Sequence, residues 1–192
     1  MRELVGAVLA GGGSSRMGRD KAVLVLEGRT LARLAADRLA GVCARVLVAD
    51  RGRGVVPGLP SVADGPGRGP AAGILGAAGA APACALLVLA CDLPAVPAEL
   101  LAALVARSGG GADLVLPRWS RGVEPLAAWY GPAALAALAA QVAAGEYSLG
   151  RLVAGGALAV EYLEGGALAA FGEPESVFRN LNRPEDLDGV GG

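Results

Sequence analysis

Histidine is absent from this 192-residue chain. That removes the commonest general base and the commonest transition-metal ligand at once, so any chemistry falls to carboxylates, hydroxyls, lysine and arginine. A metal, if one is used, is expected to be a hard cation such as Mg²⁺ held by oxygen. Cysteine is scarce: Cys43, Cys84 and Cys91 are odd in number and form no CxxC pair. Neither a disulfide framework nor a zinc site is indicated, which fits a reducing cytoplasm. Long hydrophobic runs are missing too. The most apolar stretch, ACALLVLAC at 83–91, is too short to span a bilayer and is ended by Asp92, and the N-terminus lacks the regions of a signal peptide. A soluble, cytoplasmic protein with no membrane partner is expected. The 17 basic residues against 18 acidic ones leave a formal charge of −1, with no basic cluster interleaved with aromatics, so nucleic acid is not an expected partner. Lysine has shrunk to one residue, Lys21, beside a single isoleucine and two asparagines. That pattern looks like a bias against residues with A/T-rich codons. Individual small apolar residues then carry little meaning, whereas the one lysine asks for a reason.

What remains is 54% hydrophobic, with 31 glycines and 12 prolines, as in an ordered, turn-rich chain forming one unit over 1–192. Short β-type runs alternate with longer alanine/leucine stretches, the pattern of βαβ units around a mainly parallel sheet. Strands are expected at 4–10, 45–50, 85–92, 113–117, 124–130 and 157–163. Thr30 is placed to cap a helix to about Leu39, with Leu31, Leu34, Ala35 and Leu39 on one face. Further helices are expected around 71–80, from Pro97 to about Arg107, and from Pro132. The segment FRNLNRPEDL at 178–187 suits a final helix start.

In such a sheet, ligands bind outside the carboxyl ends of the strands. Three stretches occupy that position. LAGGGSSRMGRDK at 9–21 follows the first strand directly: small residues let backbone N–H groups approach phosphate, while Arg16 and Lys21 supply charge. A P-loop would need lysine directly after Gly18, but Arg19 and Asp20 follow; the dinucleotide fingerprint has Arg16 in place of its last glycine. Two readings stand, a phosphate loop of another kind or a turn, and Lys21 favours the first because a compact, mobile ammonium suits a triphosphate. In ADGPGRGPAAG, Asp64 ends a short strand, where turn capping alone is also a sufficient role. In LACDLP, Asp92 emerges from the most buried strand, where a carboxylate needs a cation or hydrogen bonds; a metal or an N-cap role accounts for it. Asn180 and Asn182, two apart on an extended segment, face one side and either converge on a ligand or form a turn. Glu124 and the Trp129-Tyr130 pair fit either pocket lining or core, the aromatics being read as packing.

These stretches together resemble the molybdenum cofactor guanylyltransferases, within the nucleotidyltransferase superfamily. LAGGGSSRMGRDK is similar to that family's LAGGxSxRMGxDK loop and DGPGRGPAAGI to its D-x-x-PGxGPLAGI segment; ACDLP, EPLAAWY and NLNRPEDL follow in the family's order, nearly end to end. The resemblance implies a three-layer, Rossmann-like α/β nucleotidyltransferase fold with a mainly parallel, mixed twisted sheet. It implies transfer of GMP from GTP to the terminal phosphate of molybdenum-molybdopterin, with release of pyrophosphate and with Mg²⁺ as cofactor. Nucleotide would be held by the main chain at Leu9, Ala10, Gly11 and Gly12, and by Lys21, Asp64 and Asp92. Asp92 would bind the metal, Lys21, Asp92 and Arg16 would serve catalysis, and Asn180 and Asn182 would meet the acceptor. Partners would be the two substrates, with transient contacts to cofactor-synthesis proteins or apo-molybdoenzymes.

One position departs from the family pattern. Where the family has an asparagine near the end of the second strand that contacts nucleotide, this chain offers Ala49 and Asp50. Rival readings are a related cytidylyltransferase, disfavoured by LAGG where LAAG would mark that branch, and a non-catalytic delivery protein, disfavoured by Lys21 and Asp92.

Overall fold

Six apolar residues in a row, Leu4–Leu9, form the central strand β1 of a computed structural model that describes residues 3–11 and 21–181. The continuous apolar run suits a strand covered on both faces. A short 3-10 turn, Lys21–Val23, leads to a hairpin of β2 (Val25–Leu26) and β3 (Arg29–Thr30), then α1 (Leu31–Ala40), β4 (Arg45–Ala49) and β5 (Ser61–Val62). There follow α2 (Gly69–Ala80), β6 (Ala85–Ala90), α3 (Ala98–Arg107), β7 (Leu114–Trp119), β8 (Gly122–Val123) and β9 (Ala127–Tyr130). The described chain closes with α4 (Pro132–Ala143), α5 (Leu149–Ala154), β10 (Val160–Leu163), α6 (Gly165–Ala169) and α7 (Pro174–Val177). Thr30 caps α1 as expected, its hydroxyl accepting from the Arg33 N–H.

The main sheet runs β10-β7-β9-β6-β1-β4-β5, with β8 paired to β7. β1 pairs in parallel with β4 and β6, as do β4 with β5 and β7 with β10. β9 is inserted antiparallel between β6 and β7, and the short β8 also pairs antiparallel with β7. Alternate residues of each strand face opposite layers. Val5 and Ala7 pack with α2, α4 and α5, whereas Val8, Val46 and Val48 pack with α1 and α3. The result is the expected three-layer α/β architecture with a mainly parallel, mixed sheet. Gly6 permits a close approach of α1: a Cβ there would lie 3.0 Å from the Leu39 Cβ and 3.2 Å from Val46 Cγ2.

Several boundaries differ from the apolar runs. The strand expected at 124–130 begins only at Ala127, because Glu124–Leu126 is a turn in which Leu126 N donates to Glu124 Oε1 and the Tyr130 hydroxyl to the Pro125 carbonyl. β5 stops at Val62, two residues short of Asp64, and β10 starts at Val160 rather than 157. The β2–β3 hairpin and the short helices α5, α6 and α7 were not anticipated. The final helix start expected beyond Asn182 lies outside the described residues.

Candidate active site

The register that pairs Leu9 with both Ala49 and Ala90 makes β1, β4 and β6 stop level. Loops leaving three adjacent strand ends therefore diverge around a common hollow, as the crossover geometry of such sheets requires. A cavity of about 270 Å³ opens there, lined by Leu9 at the end of β1 and Ala10 and Gly11 just beyond it, by Lys21, by Asp64 beyond β5, and by Asp92 beyond β6. The remaining wall is small or apolar, including Ala49, Ala90, Cys91 and Gly73. A Cβ at Gly73 would stand 3.3 Å from Leu9 Cδ2, so the glycine sets the width. Gly69 and Pro70 bring in the amino end of α2, where unpaired N–H groups and the helix dipole favour an anion.

Lys21 Nζ and Asp92 Oδ2 lie 3.5 Å apart, each side chain 24% exposed, one from the 3-10 turn after the glycine loop and the other from the end of β6. The Asp92 carbonyl accepts from Leu181 N at 2.9 Å, and Cys91 N donates to Leu9 O at 3.1 Å, so the main chain around the carboxylate is tied on two sides. Among the described residues no group of three or more carboxylates or cysteines could hold a metal by itself. One strand-end carboxylate suits a cation such as Mg²⁺, which binds through one or two carboxylates and completes its shell with water and substrate phosphates.

Asp64 is held at the opposite edge by an unusual approach of loop and helix. Gly65 N donates to Ala72 O at 2.8 Å, a Cβ on Gly65 would lie 2.7 Å from Gly76 N, and one on Gly76 would run into the Ala63 carbonyl. Two glycines thus let residues 63–65 lie directly on the α2 backbone. Asp64 Oδ2 accepts from Arg51 Nε at 3.1 Å, while Oδ1 stands 3.4 Å from where a Cβ on Gly11 would be.

Asp50 does not take the place of the family's asparagine. It is fully buried, and its carboxylate accepts from Gly52 N at 3.1 Å, Arg53 N at 3.2 Å, Val55 N at 2.8 Å and the Ser61 hydroxyl. Burial pushes its pKa up, but these donors outweigh burial and leave it below the usual carboxylate range. Arg53 then reaches back, Nε to Asp50 O and Nη2 to Ala10 O, both at 2.7 Å. The Ala10 carbonyl therefore already carries one donor.

Glu124 is half-buried beside the site. Burial, with the charge of Asp92 adding to it, raises its carboxyl above the ordinary value against the pull of the Leu126 N–H. Tyr130 is fully buried core, as its reading as packing required. Asn180 is exposed and does not line the cavity, although it precedes Leu181, whose N–H meets Asp92. The ring of Phe178 stacks on Trp119 at 4.5 Å and anchors that segment. Gly12, Arg16 and Asn182 lie outside the described residues. Arg51 and Arg53 were missed in the sequence, where nothing distinguishes them from other surface arginines.

Comparisons with known proteins agree with one another. The family model described as the MobA-like NTP transferase domain matches residues 6–161. A probable molybdenum cofactor guanylyltransferase of Opitutus terrae is 41% identical, covering 96% of this chain and 93% of that one. A molybdenum cofactor guanylyltransferase of Cereibacter sphaeroides is 38% identical over 96% of this chain and 93% of its own. Among solved structures, molybdopterin-guanine dinucleotide biosynthesis protein A of Archaeoglobus fulgidus superposes with a TM-score of 0.80 at 26% identity, covering 96% of this chain and 95% of that one.

Proposed function

Because this chain belongs to the MobA-like NTP transferases and is a nucleotidyltransferase of the molybdenum cofactor guanylyltransferase type, we propose that its cavity transfers GMP from GTP to the terminal phosphate of molybdenum-molybdopterin. The observation that carries the reading is the meeting of Lys21 and Asp92, 3.5 Å apart, in one cavity at the carboxyl ends of β1 and β6. Enzymes of this family generally use a divalent metal, and the donor set here fits Mg²⁺ with Asp92 as its protein ligand. Bound there, the ion would neutralise phosphate charge.

The rest is work for the chain's own groups. The Lys21 ammonium offsets the charge that gathers on the departing pyrophosphate, while the amino end of α2 favours the same anion. An oxygen of the acceptor's terminal phosphate forms the new bond to the α-phosphorus as the α–β phosphoanhydride bond breaks and pyrophosphate leaves. That oxygen is already ionised near neutral pH, so no side chain has to remove a proton, and the absence of histidine costs nothing. Main chain at Leu9, Ala10 and Gly11 and the carboxylate of Asp64 line the path of the nucleoside. Asn180 belongs to the acceptor side, beyond Asp92. Arg16, Gly12 and Asn182 are assigned their roles by family likeness alone.

The test is to incubate the protein with each of the four nucleoside triphosphates, Mg²⁺ and molybdenum-molybdopterin, and to follow pyrophosphate. Release with GTP only, lost in Asp92→Ala while the fold persists, is the expected result. Release with CTP instead would move the enzyme to the cytidylyl branch, and full turnover by Asp92→Ala would remove the metal role.

A further inference from the structure

We propose that Arg51 and Asp64 form a two-part reader on the cavity rim that selects guanine, an inference that rests on the nucleotide reading above. The site has two chemically different ends. Lys21 and Asp92 gather charge beside β6, whereas Asp64 stands beyond β5, three strand positions away in the order β6-β1-β4-β5. The Asp64 carboxylate reaches back toward Gly11, just beyond β1, so both ends belong to the one cavity. A nucleotide whose phosphates lie at the Lys21–Asp92 end therefore presents its base toward Asp64.

What meets the base there is a donor beside an acceptor. Arg51 Nε donates to Asp64 Oδ2, which leaves the two Nη groups of Arg51 and Oδ1 of Asp64 for another molecule. Both residues flank Gly11, which lines the cavity: a Cβ on Gly11 would lie 3.4 Å from Asp64 Oδ1 and 3.5 Å from Arg51 Cγ, in ordinary contact with both. Arg51 has φ 66°, a left-handed conformation uncommon for a non-glycine residue, which fixes the direction of the turn after β4. The loop is held in that shape from behind by Asp50 through the Gly52, Arg53 and Val55 N–H groups. Stability does not account for the pair, since an ion pair with side chains 51% and 29% exposed adds little.

The hydrogen-bonding order fits one purine. Guanine shows an acceptor, O6, next to donors N1–H and N2–H₂; Arg51 would give to O6 and Asp64 would accept from the donors. Adenine shows the reverse order, an amino donor next to an acceptor nitrogen, and cytosine does likewise. Each would set donor against donor and acceptor against acceptor. Uracil shares guanine's O4/N3–H order but lacks the second amino donor. UTP is thus the expected next-best ligand, ahead of ATP and CTP.

The experiment measures dissociation constants of the full chain with Mg²⁺ and GTP, ITP, UTP or ATP, for wild type, Arg51→Ala and Arg51→Lys. ITP keeps O6 and N1–H but lacks the amino group. Arg51→Ala should weaken GTP and ITP by the same factor, about tenfold or more. ATP should be left nearly unchanged, and the Lys variant should rescue only part because it lacks the planar fork. An equal fall for GTP, ITP and ATP would mean that Arg51 acts on phosphate charge and would overturn the proposal. So would a wild type that binds GTP and ATP alike, or an unaltered GTP preference in Arg51→Ala. Selective GTP binding without transfer to molybdopterin would uphold the base reader and refute the function reading instead.

Discussion

Replacing Asp50 by alanine tests whether the loop after β4 is built around one buried carboxylate. Its two oxygens satisfy four donors, the N–H groups of Gly52, Arg53 and Val55 and the Ser61 hydroxyl. Hydrogen bonds to a charged group contribute about 1.5–3 kcal/mol each. Residues 51–54 are exposed, however, so water replaces the partners of Gly52 and Arg53 at little cost. Val55 N–H and the Ser61 hydroxyl, both half-buried, bear the main loss, and relief from burying a charge subtracts from it. A net loss of about 2–3 kcal/mol, or roughly 5–10 °C in Tm for a chain of this length, is the expectation. The pH dependence has a definite sign. The folded carboxyl lies below its ordinary value, so its contribution is present above the unfolded value of about 3.9 and is lost as pH falls toward the folded one. The Tm gap between wild type and Asp50→Ala, followed by circular dichroism from pH 7 to pH 3, should therefore narrow on acidification. A variant within 1 °C of wild type at pH 7, or a gap that widens in acid, would refute the reasoning.

Glu124 should behave oppositely, because its folded carboxyl is raised by burial and by Asp92. Wild-type stability is expected to fall as pH rises from the unfolded value of about 4.3 toward the folded one. Glu124→Gln, whose amide oxygen still accepts from Leu126 N, should melt higher than wild type at neutral pH and equally near pH 3.5; a lower neutral Tm would reveal a partner that needs the charge. Gly76→Ala should cost about 1–3 kcal/mol and weaken GTP binding, since its Cβ meets the Ala63 backbone and displaces the Asp64 segment. Gly79→Ala in the same helix meets nothing within 4 Å and should stabilise by about 0.5–1 kcal/mol, so equal effects of the two in chemical denaturation would rule out the close-contact explanation. The Cys43 thiol, pushed up to about 11 by burial, should alkylate far more slowly in the native protein at pH 8 than in denaturant; comparable rates would contradict its burial.

The parts of this molecule that could be read in advance are those where residue chemistry conflicts with its position. Asp92 ends a strand buried at all six positions, and Lys21 survives where arginine has taken every other basic place, so each points to a partner; the structure sets them 3.5 Å apart. Apolar runs likewise located β1, β4 and β6, because a strand covered on both faces has no polar residues to blur its ends. Strand order was not legible. Nothing in AAWY marks β9 as antiparallel between β6 and β7, since its burial is like that of its parallel neighbours. The helices α6 and α7, five and four residues long, are too short to display a 3.6-residue period.

Asp50 is the position that the sequence leaves open. It is a carboxylate at a strand end, like Asp92, where the family has an asparagine. Its fate is decided by Ser61, eleven residues on, which reaches it only because β5 returns to pair with β4. Gly65 and Gly76 make the same point from the opposite direction. Each reads as a turn former or a weak spot in a helix, yet a Cβ on either would strike the other's surroundings, and it is their mutual contact that brings Asp64 to the cavity. A strand-end carboxylate is thus a ligand candidate only when no neighbouring loop closes over it. Here pairing between β4 and β5 turns Asp50 into an anchor, and leaves Arg51 and Asp64 as the polar groups facing outward at that edge.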